Sequence, residues 1–163
     1  MGRMIWQEFE AAAPQLAGLG LKRFQRDHLA LIGTLRADGS PRISPVEPYL
    51  VVGHLLLGFE WPTSKGRDLL RDPRCTVHST VSDPDGQDGE FKLFGRAQAV
   101  DSVLANGDYP AWWHGRQPAD YRVFSLDIES AAFIAWDLDA DEMILHRWTP
   151  AVGETETRRP RPG

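Results

Sequence analysis

The sequence predicts a mainly β protein, an all-β barrel carrying a few short helices. Two observations carry that expectation. Short runs rich in Leu, Ile, Val and Phe recur along most of the chain, separated by tight-turn signals such as Ala37-Asp38-Gly39-Ser40 and Val52-Gly53. Helical periodicity shows only before residue 20 and over Ser64–Arg71. About six to eight short strands with two small helices point to a barrel with helical decorations. At 163 residues, 42% hydrophobic and 25% charged, the chain fits one globular domain with one core.

Each element follows from local chemistry. Trp6, Phe9, Ala13 and Leu16 recur at helical spacing, predicting an amphipathic helix over residues 5–18 that stops at Gly18 and Gly20. GLGLKR lacks the third glycine and the preceding strand of a dinucleotide fingerprint, so it reads as a glycine cap. The segment HLALIGTLRADGSPRISPVEPYLVVGHLLLGFEW reads as three antiparallel strands joined by tight turns. Pro45 and Pro48 cannot donate to a ladder, so the second strand must bulge or lie partly at an edge. The helix Ser64–Arg71 precedes a strand at Arg74–Val81, the acidic turn SDPDGQDG and a strand at Glu90–Val100. Asp101–Gly107 reads as a short helix or turn, followed by an irregular connection. YRVFSLDI, AAFIAWDL and EMILHRW read as three more strands. Residues 1–150 make the domain, and 151–163, without apolar periodicity, read as a mobile tail or an arm lying on a partner chain.

Several function classes are disfavoured. The net charge of −5 gives no basic field for nucleic acid. The most apolar stretch, Tyr49–Trp61, is too short to span a bilayer, so no membrane partner is expected. A single cysteine, Cys75, excludes an intrachain disulfide and fits a reducing cytoplasm; Cys75 has no evident activating partner, and no G-x-S-x-G elbow is present. His28, His54, His78, His114 and His146 lack metal-ligand spacing, and SDPDGQDGE puts Gly86 at the wrong position for a calcium loop. Among them His78, mid-strand, is the one histidine worth following. Trp112-Trp113-His114 reads either as a stacking platform for a planar ligand or as interface packing.

One stretch does carry a chemical signal. Thr63 and Ser64 stand where helix N-caps stand, and Lys65 occupies the first turn, where it opposes the positive end of the helix dipole. A bound anion resolves that conflict, because amides, hydroxyls and an ammonium then converge on one point. Arg42, on a neighbouring strand of the meander, can point at the same anion.

The order GTLRADGSPRISPV, a strand, SKGRDLLRDPR, and a strand carrying GEFKLFGRA resembles the pyridoxamine 5′-phosphate oxidase-like flavin-binding split barrels, over roughly Trp6 to Pro150. The resemblance implies a six-stranded split β-barrel forming a homodimer, with FMN at the subunit interface. It implies that Arg42 is the first phosphate-binding arginine and that Thr63, Ser64 and Lys65 form the phosphate-binding segment. The backbone of Gly58 and Phe59 and the ring of Trp61 are then expected beside the flavin ring system. Two departures stand out: Glu47 occupies the place of a lysine, and Ile128-Glu129-Ser130 occupies the place of a substrate-gripping Arg-x-His. Pyridoxine phosphate is therefore not the expected substrate. The implied function is a flavin-dependent oxidoreductase of a small molecule, with no catalytic side chain assigned. The alternatives are a reductase using the deazaflavin coenzyme F-420, whose longer acidic tail would engage Arg67, Arg71 or Lys92, and a non-catalytic flavin- or heme-binding protein.

Overall fold

A computed structural model describes residues 3–100 and 121–161. Two helices, α1 (Trp6–Ala12) and α2 (Pro14–Asp27), lead into β1 (Ala30–Leu35), β2 (Pro41–Val51) and β3 (His54–Glu60). Then follow α3 (Ser64–Arg71), β4 (Arg74–Ser79), β5 (Glu90–Ala99), β6 (Tyr121–Asp137), β7 (Glu142–Thr149) and β8 (Gly153–Pro160). The sheet order is β3-β2-β1-β4-β5-β6-β7-β8, and an extra β3–β6 pairing closes the first six strands into a barrel. The β7–β8 hairpin extends from the far half of β6. The mainly β barrel expected from the sequence is the observed architecture. Among the described residues, no helix is long and apolar enough to cross a membrane.

The meander forms as expected. Gly39 (φ +82°) turns the β1–β2 hairpin, with Asp38 accepting from the Ser40 amide at 2.9 Å. Val52 and Gly53, both at positive φ, make the two-residue β2–β3 turn that matches strand twist. β2 pairs with β1 only from Pro41 to Val46 and with β3 only from Glu47 to Val51. Each proline thus lies in a half that has one free side, which removes the cost of its missing N–H.

Three expectations are corrected. The single N-terminal helix is two helices, because Pro14 starts a new one and Ala13 leaves the helical region (φ −144°, ψ 65°). Gly18 and Gly20 do not end it: α2 runs on to Asp27, and Gly20 is where a Cβ would overlap the Phe91 ring. YRVFSLDI and AAFIAWDL are one 17-residue strand, β6, since Ile128-Glu129-Ser130 makes a bulge rather than a turn. The pairing steps from Phe94–Ser130 to Gly95–Ile128, and Gly95 lies against the Asp127 carbonyl with no space for a side chain. The tail expected to be mobile contains β8, paired with β7 from Thr149–Gly153 to Glu142–Pro160. Its alternating Glu, Thr and Arg residues hid it, because an exposed edge strand needs no apolar face. The expectations for Asp101–Gly107 and for Trp112-Trp113-His114 lie outside the described residues.

The helices complete the core. Trp6 and Phe9 from α1 and Phe24 from α2 join Phe91 and Trp148 in edge-on contacts, with Phe9–Trp148 at 5.2 Å and Phe24–Phe91 at 5.6 Å between centroids. β8 is tied to this packing by Glu154, whose Oε1 accepts from the Leu16 amide in the first turn of α2 at 2.6 Å. That carboxylate satisfies an amide with no partner inside the helix, as an N-cap does. Glu154→Ala is therefore expected to destabilise the fold by about 0.5–2 kcal/mol. A urea midpoint that falls at constant m-value is the supporting result, and an unmoved midpoint would remove the contact from the account.

Candidate functional site

The site begins where β2 changes partner. Beyond Gly58, β3 no longer pairs with β2, although it stays paired with β6 through Phe59–Arg122 and Glu60–Tyr121. The two strands part and leave a cleft of about 350 Å³ lined by Pro45, Glu47, Gly58, Phe59, Glu60, Thr63 and Lys65, among others. β2 has a free side at Pro45, and the Lys65 ammonium donates to the Pro45 carbonyl at 2.7 Å. The same ammonium lies 5.2 Å from the centre of the Phe59 ring, a cation–π distance. Burial pushes the Lys65 pKa down, and the charges of Glu47 and Glu60 act against that shift.

α3 separates this cleft from a second one. Thr63 is its N-cap, in extended conformation, with Oγ1 accepting from the Gly66 amide at 3.4 Å. The helix spans the residues that its sequence predicts and stops at Asp72-Pro73. A recess of about 380 Å³ on its other side is lined by Arg36, Arg42, Ser64, Arg67, Asp68 and Arg71, together with Ala37 and Asp38.

Asp68 organises that recess. It is 4% exposed; its Oδ2 accepts from Arg42 Nε at 2.7 Å and from Thr34 Oγ1 at 3.0 Å, and its Oδ1 accepts from Arg71 Nη2 at 3.1 Å. Arg71 Nη2 also donates to the Leu35 carbonyl. Burial alone would push the Asp68 carboxyl up; the hydrogen bonds from Arg42, Arg71 and Thr34 and the Arg42 charge outweigh it and hold the carboxyl below its ordinary value. Arg36 and Arg67 are exposed and form no ion pair within 4.0 Å among the described residues.

The seven residues singled out from sequence therefore divide. Gly58, Phe59, Thr63 and Lys65 line the cleft, whereas Arg42 and Ser64 line the recess. Trp61 lines neither: its ring lies beside Gly66, where a Cβ would stand 3.4 Å from it, and the Arg122 guanidinium lies over it at 4.9 Å. Glu47, the departure from the expected lysine, faces the same cleft as Lys65. Lys92 is outside both, bonded to Glu90 at 2.6 Å. His78 is held by its neighbours, with Nδ1 2.6 Å from the Ser79 carbonyl and Nε2 3.4 Å from Glu90. Burial pushes the Cys75 thiol up to about 12, which leaves it protonated and unreactive at neutral pH. Sequence reasoning missed Asp68 and Arg36. The available signal for Asp68 was a carboxylate beside Leu69 on the buried side of a short helix, three residues before an arginine.

No family model and no curated protein matches this sequence. Solved structures match over most of both chains. PhzG from Burkholderia lata, in complex with tetrahydrophenazine-1-carboxylic acid, superposes with a TM-score of 0.67 at 12% identity, over 91% of this chain and 93% of that one. A pyridoxamine 5′-phosphate oxidase-related, FMN-binding protein from Nostoc punctiforme gives 0.60 at 10% identity, over 90% and 95%. The chain has the fold of the pyridoxamine 5′-phosphate oxidase-like split barrels. A heme-binding protein from Mycobacterium smegmatis shares this split barrel, with a TM-score of 0.63 at 18% identity over 90% and 88% of the two chains. At such identities the likeness is one of fold, and ligand and activity have to be argued from the residues.

The Asp68 network makes a pH-dependent contribution to the split barrel's stability. Because the folded pKa lies below the unfolded one, the contribution is complete above about pH 3.9 and is lost as pH falls through the folded value. Wild type is expected to exceed Asp68→Asn in urea midpoint at neutral pH, with the gap closing below about pH 4. A gap that stays constant down to acid pH would contradict this assignment.

Proposed function

We propose that this chain is a homodimeric, flavin-dependent oxidoreductase acting on a small molecule, with FMN as its cofactor. The observation that carries the reading is the cleft at the β2–β3 parting, with the arginine-lined recess on the other side of α3. The residues fit such a group. Phe59 and Pro45 offer apolar surface in a cleft of size usual for ligand sites, while Arg42, Arg67 and Ser64 present donors suited to a phosphate. The backbone at Gly58 and Phe59 and the Lys65 ammonium border the space for a flavin ring system. When bound, flavin supplies the hydride and electron transfer, and the protein contributes position, electrostatics and exclusion of water. No side chain is assigned as acid or base.

The dimer reading rests on an apolar outer surface. Ile43, Gly33, Thr76 and Phe94 form one row across β2, β1, β4 and β5, and Pro45, Leu31 and His78 lie in the next. Ile43 is 73% exposed, Phe94 42% and Leu31 39%. Adjacent apolar side chains on one sheet face suit an interface between two copies. A deazaflavin is the second reading. It is favoured by Arg36 and Arg67, whose exposed guanidiniums carry the recess's positive charge beyond Arg42 towards an acidic tail.

Arg42→Ala and Lys65→Ala are each expected to weaken FMN binding by about 1–3 kcal/mol, roughly 5- to 150-fold, with the fold retained. Titration followed by flavin fluorescence tests this, and unchanged affinity in both variants would count against the cleft and recess as the cofactor site. Absorbance of the purified protein separates flavin, deazaflavin and heme. Sedimentation should show a dimer at micromolar concentration that Ile43→Glu dissociates; a monomeric wild type would contradict the interface.

A further inference from the structure

Asp68 places a carboxylate among the guanidiniums that line the recess. It engages Arg42 through Nε and Arg71 through one terminal nitrogen, and Thr34 fills a further acceptor position. Arg42 thereby keeps its terminal nitrogens for a ligand, and Arg67 is held by no carboxylate among the described residues. The carboxylate orients the cationic cradle and also opposes what the cradle attracts. Its buried position makes that opposition hard to screen, since it is 4% exposed.

We propose that Asp68 sets the charge selectivity of the recess: it offsets the advantage that an arginine cluster alone would give a doubly charged phosphate monoester over the singly charged form or an uncharged ligand. The reasoning is electrostatic and rests on the flavin reading above. A fixed negative charge repels a dianion twice as strongly as a monoanion, and it leaves a neutral ligand unaffected. Asparagine has the same shape and keeps one acceptor oxygen for Arg42 Nε or Thr34, while Arg42 and Arg71, with side chains 27% and 42% exposed, can be hydrated in its presence. Asp68 is thus a positioning and specificity-determining residue rather than a catalytic one.

The test compares FMN with riboflavin, which lacks the phosphate, in wild type, Asp68→Asn and Asp68→Glu. Asp68→Asn is expected to raise the FMN-to-riboflavin affinity ratio by about tenfold or more, with riboflavin affinity itself unchanged. Asp68→Glu, which keeps the charge, is expected to leave the ratio near wild type. A ratio that is unchanged or lower in Asp68→Asn, with a native melting profile, overturns the proposal and leaves the flavin reading intact. If no variant binds FMN, riboflavin or inorganic phosphate, both readings fail together.

Should Asp68→Asn not fold, wild type alone decides. A phosphate monoester gains its second charge near about pH 6. The titratable and charged groups facing Asp68 from β1, the β1–β2 turn, β2 and α3 are Arg36, Asp38, Arg42, Arg67 and Arg71, and no histidine lines the recess among the described residues. The ligand is therefore the group that titrates. From about pH 5 to 7.5 the wild-type ratio is expected to rise by less than about threefold, and a rise of about tenfold would overturn the proposal.

Discussion

The change of partner in β2 between Val46 and Glu47 is the constraint on which the rest of the molecule depends. A strand bonded on both sides along its whole length would close the barrel wall and leave no cleft. Here Pro45 and Pro48 remove two donors, and each half of β2 uses only one neighbour. The unpaired side must be satisfied in another way, and the Lys65 ammonium supplies that at the Pro45 carbonyl. The lysine that looks misplaced at the positive end of a helix is therefore supported by a strand edge that lacks its ladder.

Two charge arrangements share α3, and they differ in kind. Lys65 sits beside two carboxylates and an aromatic face, half withdrawn from water. Asp68 is a carboxylate surrounded by arginines and a hydroxyl, and nearly all of it is buried. Only one residue turn separates them, so a single short helix controls both the polarity of the cleft and the cationic character of the recess. On the proposal above, removing Asp68 would trade folding stability for attraction of anions.

Much of this was legible in the sequence, and the failures have physical causes. The hairpin turns, the α3 limits and the strands either side of the acidic loop follow from Gly, Asp and Pro chemistry that acts within a few residues. Asp83 organises that loop by accepting from the amides of Asp85, Gln87 and Asp88. The helix break at Pro14 is local, a proline start signal passed over in favour of the apolar periodicity across it. The continuation of α2 past Gly20, the bulge at Glu129 and β8 escaped because each is decided by distant partners: Phe91 behind Gly20, Asp127 over Gly95, and β7 beside a strand with no apolar side. For the candidate site, Lys65 and Arg42 were singled out from their chemistry as converging on one point, and the structure places them in two separate spaces. Sequence spacing cannot tell which side of a helix a neighbouring strand's side chain reaches, and Asp68, which gathers Arg42, Arg71 and Thr34, looks like any charged residue of an amphipathic turn.

The tie between Glu154 and the Leu16 amide spans 138 positions of chain. During synthesis, the N-terminal helices leave the ribosome long before the residue that caps the second of them exists. Trp6, Phe9 and Phe24 likewise wait for Phe91 and Trp148 before their rings are covered. The capping of α2 and the covering of the α1 and α2 rings thus rest on contacts of long sequence separation with strands that are made late, so this part of the core is completed only when the last third of the chain is in place.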